Sequence, residues 1–263
     1  MENNKFIQYK IKNIHYRVFG KGKPVVLLHG FGEDGNIWNE LIKDLQNDFY
    51  IIVPDIPGSG KSEMLDGENT SIEDYADVIK AILKEEKIAL CCMIGHSMGG
   101  YITLAFAEKY PELLDGFGLF HSSAFADDEE KKQTRRKAIE FIKENGAYAF
   151  LKTSIPNLFA DSKHQNDIER LIEEGKKFTP ETLIQYYNAM INRPDRTDLL
   201  KNFNKPILII IGEKDNAIPL QASLQQCHLP AISHVHILAV GHMGMIEEQK
   251  KCSGILLSFL QNI

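Results

Sequence analysis

The chain of 263 residues carries 30 lysine and arginine residues against 36 aspartate and glutamate residues, a formal net charge of −6. Its 43% hydrophobic and 25% charged content is typical of a globular protein that can bury a substantial core without disulfides or a metal. An acidic balance offers no electrostatic reason to expect a nucleic acid or an anionic membrane as partner. The amino-terminal segment lacks the apolar stretch of a secretory signal, and no apolar run is long enough to span a bilayer. We therefore expect a cytoplasmic protein.

The first predicted elements are two strands with alternating polar and apolar side chains. Residues 6–11 and residues 14–19 alternate in this way on either side of Lys12-Asn13. Such a pattern predicts an antiparallel hairpin with one face exposed to water.

Six later segments are predicted strands of a different kind. They are short, apolar and rich in β-branched residues, as expected for parallel strands that are covered on both faces. In chain order they are Val25–Leu28, Tyr50–Val53, Ile88–Ile94, Gly116–Phe120, Ile207–Ile211 and Val235–Val240. Helical patterns alternate with them at Asn36–Leu45, Ser71–Lys84, Met98–Lys109, Leu220–Cys227 and Met245–Leu260. This alternation predicts an α/β fold with a doubly wound, mostly parallel sheet beside the antiparallel hairpin.

Residues 123–204 interrupt the alternation, because they show helical periods but no strand-like run. Glycine and proline residues divide this interval into several helices, at Gly146, Pro156, Gly175, Pro180 and Pro194. Because the interval joins two core strands, we expect a helical cap over the carboxyl edge of the sheet, where ligands bind in such folds. A helical layer that only adds stability is the alternative. The predicted single domain thus has a core of residues 1–122 and 205–263 and a cap of residues 123–204.

The pentapeptide Gly95-His96-Ser97-Met98-Gly99 lies between a predicted strand and a predicted helix. It fits the pattern G-x-S-x-G, and strand–turn–helix is the context that a nucleophilic serine requires in this pattern. The glycines permit a tight turn that exposes the serine oxygen at the amino terminus of the helix. We therefore predict that Ser97 is a nucleophile. A tight connection with an idle serine is the alternative.

A serine hydroxyl is a poor nucleophile at neutral pH, so Ser97 needs a general base that a third group orients. His242 and Asp215 each follow a predicted strand. Because the carboxyl ends of parallel strands meet at one edge of the sheet, we expect both side chains to lie near Ser97. His242 is the candidate base and Asp215 the candidate acid, with Glu213 as an alternative acid. A loop histidine and a turn-forming aspartate are the structural alternatives.

A tetrahedral intermediate needs backbone N–H donors that point at its negatively charged oxygen. The N–H of Met98, directly after the candidate nucleophile, is one candidate donor. The segment His29-Gly30-Phe31-Gly32 follows an early predicted strand, and its Phe31 N–H is the second candidate. A glycine-rich turn that contacts no ligand is the alternative.

Five motifs of this chain resemble, in identity, order and spacing, those of capped α/β-hydrolases of the Ser-Asp-His, esterase-like type. They are HGFG at 29–32, DIPGSGKS at 55–62, GHSMGG at 95–100, GEKD at 212–215 and GH at 241–242. The resemblance covers nearly the whole chain and implies Ser97 as nucleophile, Asp215 as acid and His242 as base. Serine at position 97 departs from the aspartate of haloalkane dehalogenases and epoxide hydrolases.

The expected function is hydrolysis of a small ester, thioester or lactone through an acyl-enzyme on Ser97, with no cofactor and no metal. Because the predicted cap is rich in Phe, Tyr, Leu and Ile, the expected partner is a small-molecule substrate with a partly apolar acyl group. Neither a nucleic acid nor a membrane is expected as partner, and the sequence leaves the oligomeric state open.

Other functions remain open from the sequence. The same triad cleaves a carbon–carbon bond beside a carbonyl in meta-cleavage-product hydrolases, and cofactor-free perhydrolases share it. A dinucleotide-dependent oxidoreductase is a second class, because residues 30–35 match G-x-G-x-x-G and Asp55 ends the next strand, where a ribose-binding acid belongs. A ligand-binding protein with little turnover is a third.

Charged and aromatic residues of the predicted cap have simpler interpretations. The runs Glu129-Glu130-Lys131-Lys132 and Arg135-Arg136-Lys137 are expected to be solvated helix faces. Phe141, Tyr148 and Phe150 are expected to serve mainly in packing, and some cap aromatics to line the ligand pocket.

Overall fold

The computed structural model describes residues 3–67 and 69–263 of the chain. Within these residues one sheet contains the strands β1 (Asn3–Tyr9), β2 (Lys12–Gly20), β3 (Lys23–Leu28), β4 (Phe49–Pro54), β5 (Cys91–His96), β6 (Leu114–Phe120), β7 (Ile207–Gly212) and β8 (Ser233–Leu238). The α-helices are α1 (Asn39–Leu45), α2 (Ile72–Glu85), α3 (Met98–Lys109), α4 (Glu129–Asn145), α5 (Ala147–Ser154), α6 (Gln165–Glu174), α7 (Pro180–Asn192), α8 (Thr197–Asn202), α9 (Leu220–Gln226), α10 (Gly244–Glu247) and α11 (Gln249–Gln261). Short 3-10 helices cover Gly35–Trp38, Pro111–Leu113, Ile155–Leu158, Ser162–His164 and Gly175–Lys177.

The strand order of the sheet is β1-β2-β4-β3-β5-β6-β7-β8. The pairs β1–β2 and β2–β4 are antiparallel, and every later pair is parallel. In the first pair Ile7 lies opposite Ile14, so the predicted hairpin is confirmed. The predicted doubly wound, mostly parallel sheet is confirmed as well.

The central strands are buried on both faces, as their continuous apolar sequences predict, but the last strand is different. Every residue of β5 and β7 is buried, whereas Val235 and Ile237 of β8 are 39% and 51% exposed. The prediction of a fully covered strand is therefore wrong for β8, because an edge strand pairs on one side only and the helices cover it incompletely. Predicted boundaries also shift: β5 begins at Cys91 rather than at Ile88, and β8 ends at Leu238 rather than at Val240.

Helix starts follow local capping chemistry. Ser71 precedes α2, its hydroxyl accepts from the Asp74 N–H at 3.2 Å, and the Asp74 carboxylate accepts from the Ser71 N–H at 2.9 Å. The predicted helix start at Ser71 is thus confirmed. Two other predicted helices are each divided in the structure, the first into a 3-10 turn and α1, and the last into α10 and α11.

The segment between β6 and β7 forms α4 to α8 and contains no strand from residue 123 to residue 204, all of which the structure describes. Hydrogen bonds join this helical insertion to the loop after β4. The Tyr186 hydroxyl donates to Pro57 O at 2.9 Å, and the Gln185 amide donates to Leu65 O at 2.9 Å. The inserted helical cap is therefore present, while the exact boundaries of core and cap stay a prediction. Met1, Glu2 and Glu68 of the predicted core lie outside the described residues.

Candidate active site

Ser97 occupies a strained turn between β5 and α3. Its backbone adopts φ 51° and ψ −116°, a conformation that side chains other than glycine rarely take. The turn requires glycine at two positions. A Cβ at Gly95 would overlap the carbonyl oxygen of Gly99, and a Cβ at Gly99 would lie 2.5 Å from the carbonyl oxygen of His29. The predicted strand–turn–helix geometry therefore exposes Ser97 at the amino terminus of α3.

His242 and Asp215 form a buried hydrogen-bonded pair. The distance from His242 Nδ1 to Asp215 Oδ2 is 2.7 Å, and the two side chains are 4% and 1% exposed. The other carboxylate oxygen accepts from the N–H groups of Ala217 and Ile218 at 2.8 and 2.9 Å. Burial raises the pKa of Asp215, but the His242 imidazole and its hydrogen bond lower it to about 2. Asp215 is thus ionised at neutral pH and orients His242 with Nδ1 towards the carboxylate.

A cavity of about 800 Å³ lies between the carboxyl edge of the sheet and the helical insertion. Ser97 and His242 both line it, and Asp215 stands behind His242. The backbone N–H of His242 donates to Leu158 O at 2.6 Å, so the insertion also holds the histidine loop. The structure therefore brings the three predicted side chains together beside one cavity.

The turn after β3 lies directly beside the candidate nucleophile. A Cβ at Gly30 would be 3.1 Å from Ser97 Cβ, and the next residue, Phe31, lines the cavity. Among the residues that the structure describes, none accepts a hydrogen bond from the Phe31 N–H. Met98 is the first residue of α3, where an N–H has no acceptor within the helix. Neither N–H group therefore has an acceptor among the described residues, and their role as oxyanion donors stays a prediction.

Sequence reasoning did not single out the buried pair of Glu33 and His96. Glu33 Oε2 accepts from the Gly30 N–H at 2.7 Å and from His96 Nδ1 at 3.0 Å, and His96 Nε2 donates to His242 O at 2.9 Å. Burial lowers the pKa of His96, but the Glu33 carboxylate raises it above the usual histidine value. Both ring nitrogens face acceptors, which favours the doubly protonated ring, and His96 links the Gly30 turn to the His242 backbone. No pattern in the sequence predicts this pair, since its members are 63 residues apart.

His121 lies behind the acid. Its Nδ1 is 4.0 Å from Asp215 Oδ2, and neither ring nitrogen forms a hydrogen bond within the described part of the chain. Burial holds the pKa of His121 well below the usual histidine value. His121 is therefore a neutral ring that packs against the acid without adding charge.

Only some of the basic cap residues that were predicted to be solvated face bulk solvent. Lys131 and Arg135 line the cavity, whereas Lys132, Arg136 and Lys137 do not. The prediction is wrong for the first two because they lie four residues apart and share the inward face of α4. This four-residue spacing was the sequence feature that could have predicted a shared face for Lys131 and Arg135. Of the aromatic residues, Phe150 lines the cavity, whereas Phe141 and Tyr148 are 39% and 37% exposed.

Asp55, the residue expected to bind ribose in a dinucleotide-binding protein, is buried and already hydrogen-bonded within the fold. The Asp55 carboxylate accepts from His15 Nδ1 at 2.8 Å and from the N–H groups of Gly35 and Lys61 at 3.0 and 2.9 Å. Asp55 is 5% exposed, so these contacts occupy it within the fold. The glycine-rich turn at residues 30–35 instead borders the cavity of Ser97.

Two further observations concern metals and membranes. Residues 3–67 and 69–263 hold no cluster of three or more His, Cys, Asp or Glu side chains arranged to bind a metal ion. None of the helices in the same residues combines the length and the apolar character needed to cross a bilayer.

Comparisons with known proteins cover most of the chain. A solved structure of a malate-bound thermophilic esterase from Thermogutta terrifontis matches with a TM-score of 0.91 and 28% identity, over 99% of this chain and 98% of that chain. A putative carbamate hydrolase, RutD, of Pantoea ananatis is 24% identical over 94% of this chain and 93% of its own length. A 2-hydroxy-6-oxononadienedioate/2-hydroxy-6-oxononatrienedioate hydrolase of Paraburkholderia phymatum is 25% identical over 94% and 90%. A family model described as the alpha/beta hydrolase fold matches residues 23–249, so the chain belongs to the alpha/beta hydrolase family.

Proposed function

We propose that the chain is a serine hydrolase that cleaves a small carboxylic ester, thioester or lactone through an acyl-enzyme on Ser97. The observation that carries the proposal is the buried His242–Asp215 hydrogen bond of 2.7 Å beside a cavity that Ser97 lines. A histidine that a carboxylate orients through Nδ1 presents Nε2 as a base, which is what a serine nucleophile requires.

In the proposed mechanism Ser97 Oγ attacks the carbonyl carbon while His242 Nε2 takes the hydroxyl proton. The N–H groups of Phe31 and Met98 donate to the oxygen that becomes negatively charged. Collapse of the tetrahedral intermediate breaks the bond to the leaving group, which receives the proton from His242. A water molecule then attacks the acyl-enzyme with His242 again as base. The bond between the acyl carbon and Ser97 Oγ breaks, His242 returns the proton to Oγ, and the acid is released. Asp215 stabilises the imidazolium in both steps.

The cavity supports a substrate with a partly apolar acyl group. Apolar side chains of the core and the cap make up much of its lining: Phe31, Phe150, Leu151, Ile155, Met190 and Ile218. A cavity of about 800 Å³ has a volume typical of a small-molecule site. The similarity to an esterase at 28% identity supports ester hydrolysis. We further propose that the protein acts in the cytoplasm, on a small-molecule substrate rather than on a nucleic acid or a membrane.

Cleavage of a carbon–carbon bond beside a carbonyl by the same three side chains is the second candidate. The similarity to a hydrolase named for 2-hydroxy-6-oxononadienedioate, at 25% identity, favours it. The two candidates are distinguished by offering that dioate and p-nitrophenyl butyrate to the same preparation. We expect the ester to be hydrolysed with the higher kcat/KM, and a higher value for the dioate would favour the second candidate.

The test of the proposed mechanism is turnover of p-nitrophenyl acetate and butyrate by the wild-type chain and by Ser97→Ala. We expect a burst of nitrophenol equal to the enzyme concentration, followed by slower turnover, because the first product leaves before the acyl-enzyme is hydrolysed. Ser97→Ala should abolish the burst. Ser258→Ala, on the exposed face of α11, is the matched control and should retain it. A burst that persists in Ser97→Ala would contradict the proposal.

A further inference from the structure

One wall of the cavity carries a cluster of positive charge. Lys131 and Arg135 of α4 and Arg193, which follows α7, all line it together with Tyr101 of α3. The Arg193 guanidinium carbon lies 3.9 Å from the centre of the Tyr101 ring. Ser97 directly precedes α3, and it lines the same cavity as Tyr101, so the candidate nucleophile and this wall face one shared space.

Both terminal nitrogens of Arg193 donate hydrogen bonds to neighbouring residues of the wall. Its Nη1 donates to Met190 O at 2.8 Å, and its Nη2 donates to Phe125 O at 2.9 Å and to Asp127 Oδ1 at 3.0 Å. The side chain is only 4% exposed. Arg193 therefore supports the wall, and the groups available to a ligand are those of its neighbours.

The positive charges of the wall exceed the buried negative charge that pairs with them. Asp127 accepts from Arg193 and also from Arg135 Nε at 2.6 Å, so one carboxylate serves two guanidinium groups. Lys131 Nζ donates to the carbonyl oxygen of Ala217 at 3.1 Å, and it forms no ion pair with any residue that the structure describes. Two positive charges on this wall thus remain without a buried counter-charge.

Other carboxylates around the cavity do not cancel this excess. Asp128 and Glu130 are exposed at the cavity rim, where water screens their charge. Glu33 lies beside Ser97, and its carboxylate is paired with His96 at 3.0 Å. Burial raises the pKa of Tyr101, but Arg193, Lys131 and Arg135 lower it below the usual tyrosine value. The potential at this wall is therefore positive.

We infer that Lys131, Arg135 and Tyr101 form a carboxylate-binding site, and that the substrate carries a carboxylate group in addition to the bond that is cleaved. A net positive charge in a partly enclosed cavity is costly, and a ligand carboxylate that accepts from an ammonium, a guanidinium and a phenol offsets that cost. The inference rests on the proposed serine hydrolase function. It narrows the substrate class to acidic esters, such as monoesters of dicarboxylic acids.

The first test measures binding without turnover. Adipate and its neutral amide, adipamide, are titrated calorimetrically into Ser97→Ala, into Ser97→Ala with Lys131→Met, and into Ser97→Ala with Lys132→Met. Lys132 is the matched control because it is the next lysine of α4 and pairs with Glu129 on the surface. We expect adipate to bind at least about tenfold more tightly than adipamide, and Lys131→Met to remove most of that difference. Equal binding of adipate and adipamide, or equal effects of the two lysine variants, would overturn the inference.

The second test measures selectivity in turnover. Mono-p-nitrophenyl adipate and 4-acetoxybenzoate carry a carboxylate on the acyl side and on the alcohol side, and their methyl esters are the neutral counterparts. We expect the wild-type chain to hydrolyse at least one of the two charged esters with a kcat/KM about tenfold or more above that of its methyl ester. Lys131→Met should abolish that preference, whereas the control Lys132→Met should retain it. A preference unchanged in both variants would contradict the inference.

The two tests separate the inference from the function on which it rests. Hydrolysis of neutral esters through Ser97, with no preference for charged ones and no adipate binding, would refute the carboxylate site and retain the serine hydrolase. Binding of adipate through Lys131 without hydrolysis of any ester would refute the ester chemistry and retain the anion site. Lys131 is not part of the Asp127 ion-pair cluster, and a melting temperature of Lys131→Met close to that of the wild type excludes loss of folding as the cause.

Discussion

At the scale of single residues, the chemistry depends on a carboxylate that stays ionised although it is buried. Asp215 accepts two backbone N–H groups and His242 Nδ1, and its pKa of about 2 keeps it negatively charged at every pH at which a histidine base operates. The charge fixes the proton of His242 on Nδ1. The lone pair of Nε2 is then directed to the cavity, where Ser97 also lies.

Asp215→Asn should reduce kcat for p-nitrophenyl butyrate by about 10³- to 10⁴-fold, because an amide that donates to Nδ1 leaves the proton on Nε2 and removes the base. Steady-state kinetics at saturating substrate measures the loss. Glu213→Gln is the matched control, since Glu213 is two residues away and exposed, and it should change kcat less than about twofold. A large loss in Glu213→Gln with a small one in Asp215→Asn would reverse the assignment.

The sequence predicted these residues because each of them follows a strand. Ser97, Asp215 and His242 are distant in the chain, yet parallel strands bring their carboxyl ends to one edge, so a strand pattern is sufficient to group them. Lys131 and Arg135 follow no strand. Their place in the cavity depends on which face of α4 packs towards the core. The sequence indicates only that the two residues share a helix face.

At the scale of elements, the connection from β5 to α3 is the most constrained part of the site. Ser97 has a positive φ, and neighbouring glycines lie where a side chain would overlap backbone atoms. Such strain persists only because β5 is buried between β3 and β6 and α3 is packed against the sheet. The rigid elements thus hold the serine in a conformation that a free peptide would avoid.

Gly95→Ala should lower the free energy of unfolding by about 3 kcal/mol or more, because the added methyl group overlaps the Gly99 carbonyl of the first helical turn. Urea denaturation measures this change. Gly254→Ala is the matched control, because Gly254 lies in α11 with no atom within 4 Å of the added Cβ. That variant should stabilise the chain by about 0.5 to 1 kcal/mol. Equal effects of the two substitutions would refute the role given to the turn.

Element types were more predictable than element boundaries and environments. The hairpin, the parallel strands and the start of α2 at Ser71 follow from local patterns and are present in the structure. The apolar sequence of β8 predicted burial, yet Val235 and Ile237 are exposed. The difference arises because the position of a strand within its sheet is set by long-range pairing, which an apolar run does not report.

At the scale of the whole molecule, a buried ion-pair cluster stabilises the cap around the cavity. Asp127, in the segment between β6 and α4, accepts from Arg135 of α4 and from Arg193 after α7. Burial raises the pKa of Asp127, but these two guanidinium groups lower it to about 2. Because the folded pKa is depressed, the stabilisation is complete above the unfolded value of about 3.8 and is lost as the pH falls towards 2.

Asp127→Asn should reduce the free energy of unfolding at neutral pH by about 3 to 5 kcal/mol, because it leaves two buried guanidinium groups without their carboxylate. The difference from the wild type should be constant above about pH 4 and shrink by about 2 kcal/mol as the pH falls from 4 towards 2. Urea denaturation at a series of pH values measures it. Asp198→Asn, which removes an exposed partner of Lys201, should have a small effect. A difference independent of pH down to 2 would contradict the assignment.

The overall architecture was predictable because a repeated strand–helix pattern has few compact solutions. The shape and charge of the cavity were not, because its wall combines residues from β-strand ends, α3, α4 and the segment after α7. The pairing of Glu33 with His96 and of Asp127 with two arginines exists only after these elements are assembled. Local propensity carries no information on such contacts.

Covalent labelling with a fluorophosphonate, followed by mass spectrometry of the intact and digested protein, tests whether Ser97 is a nucleophile activated by His242 and Asp215. We predict a single adduct, located on the peptide that contains Ser97, absent from Ser97→Ala and formed much more slowly by Asp215→Asn. An adduct on another residue, or full turnover of p-nitrophenyl butyrate by a chain whose Ser97 remains unlabelled, would show that Ser97 is not the nucleophile.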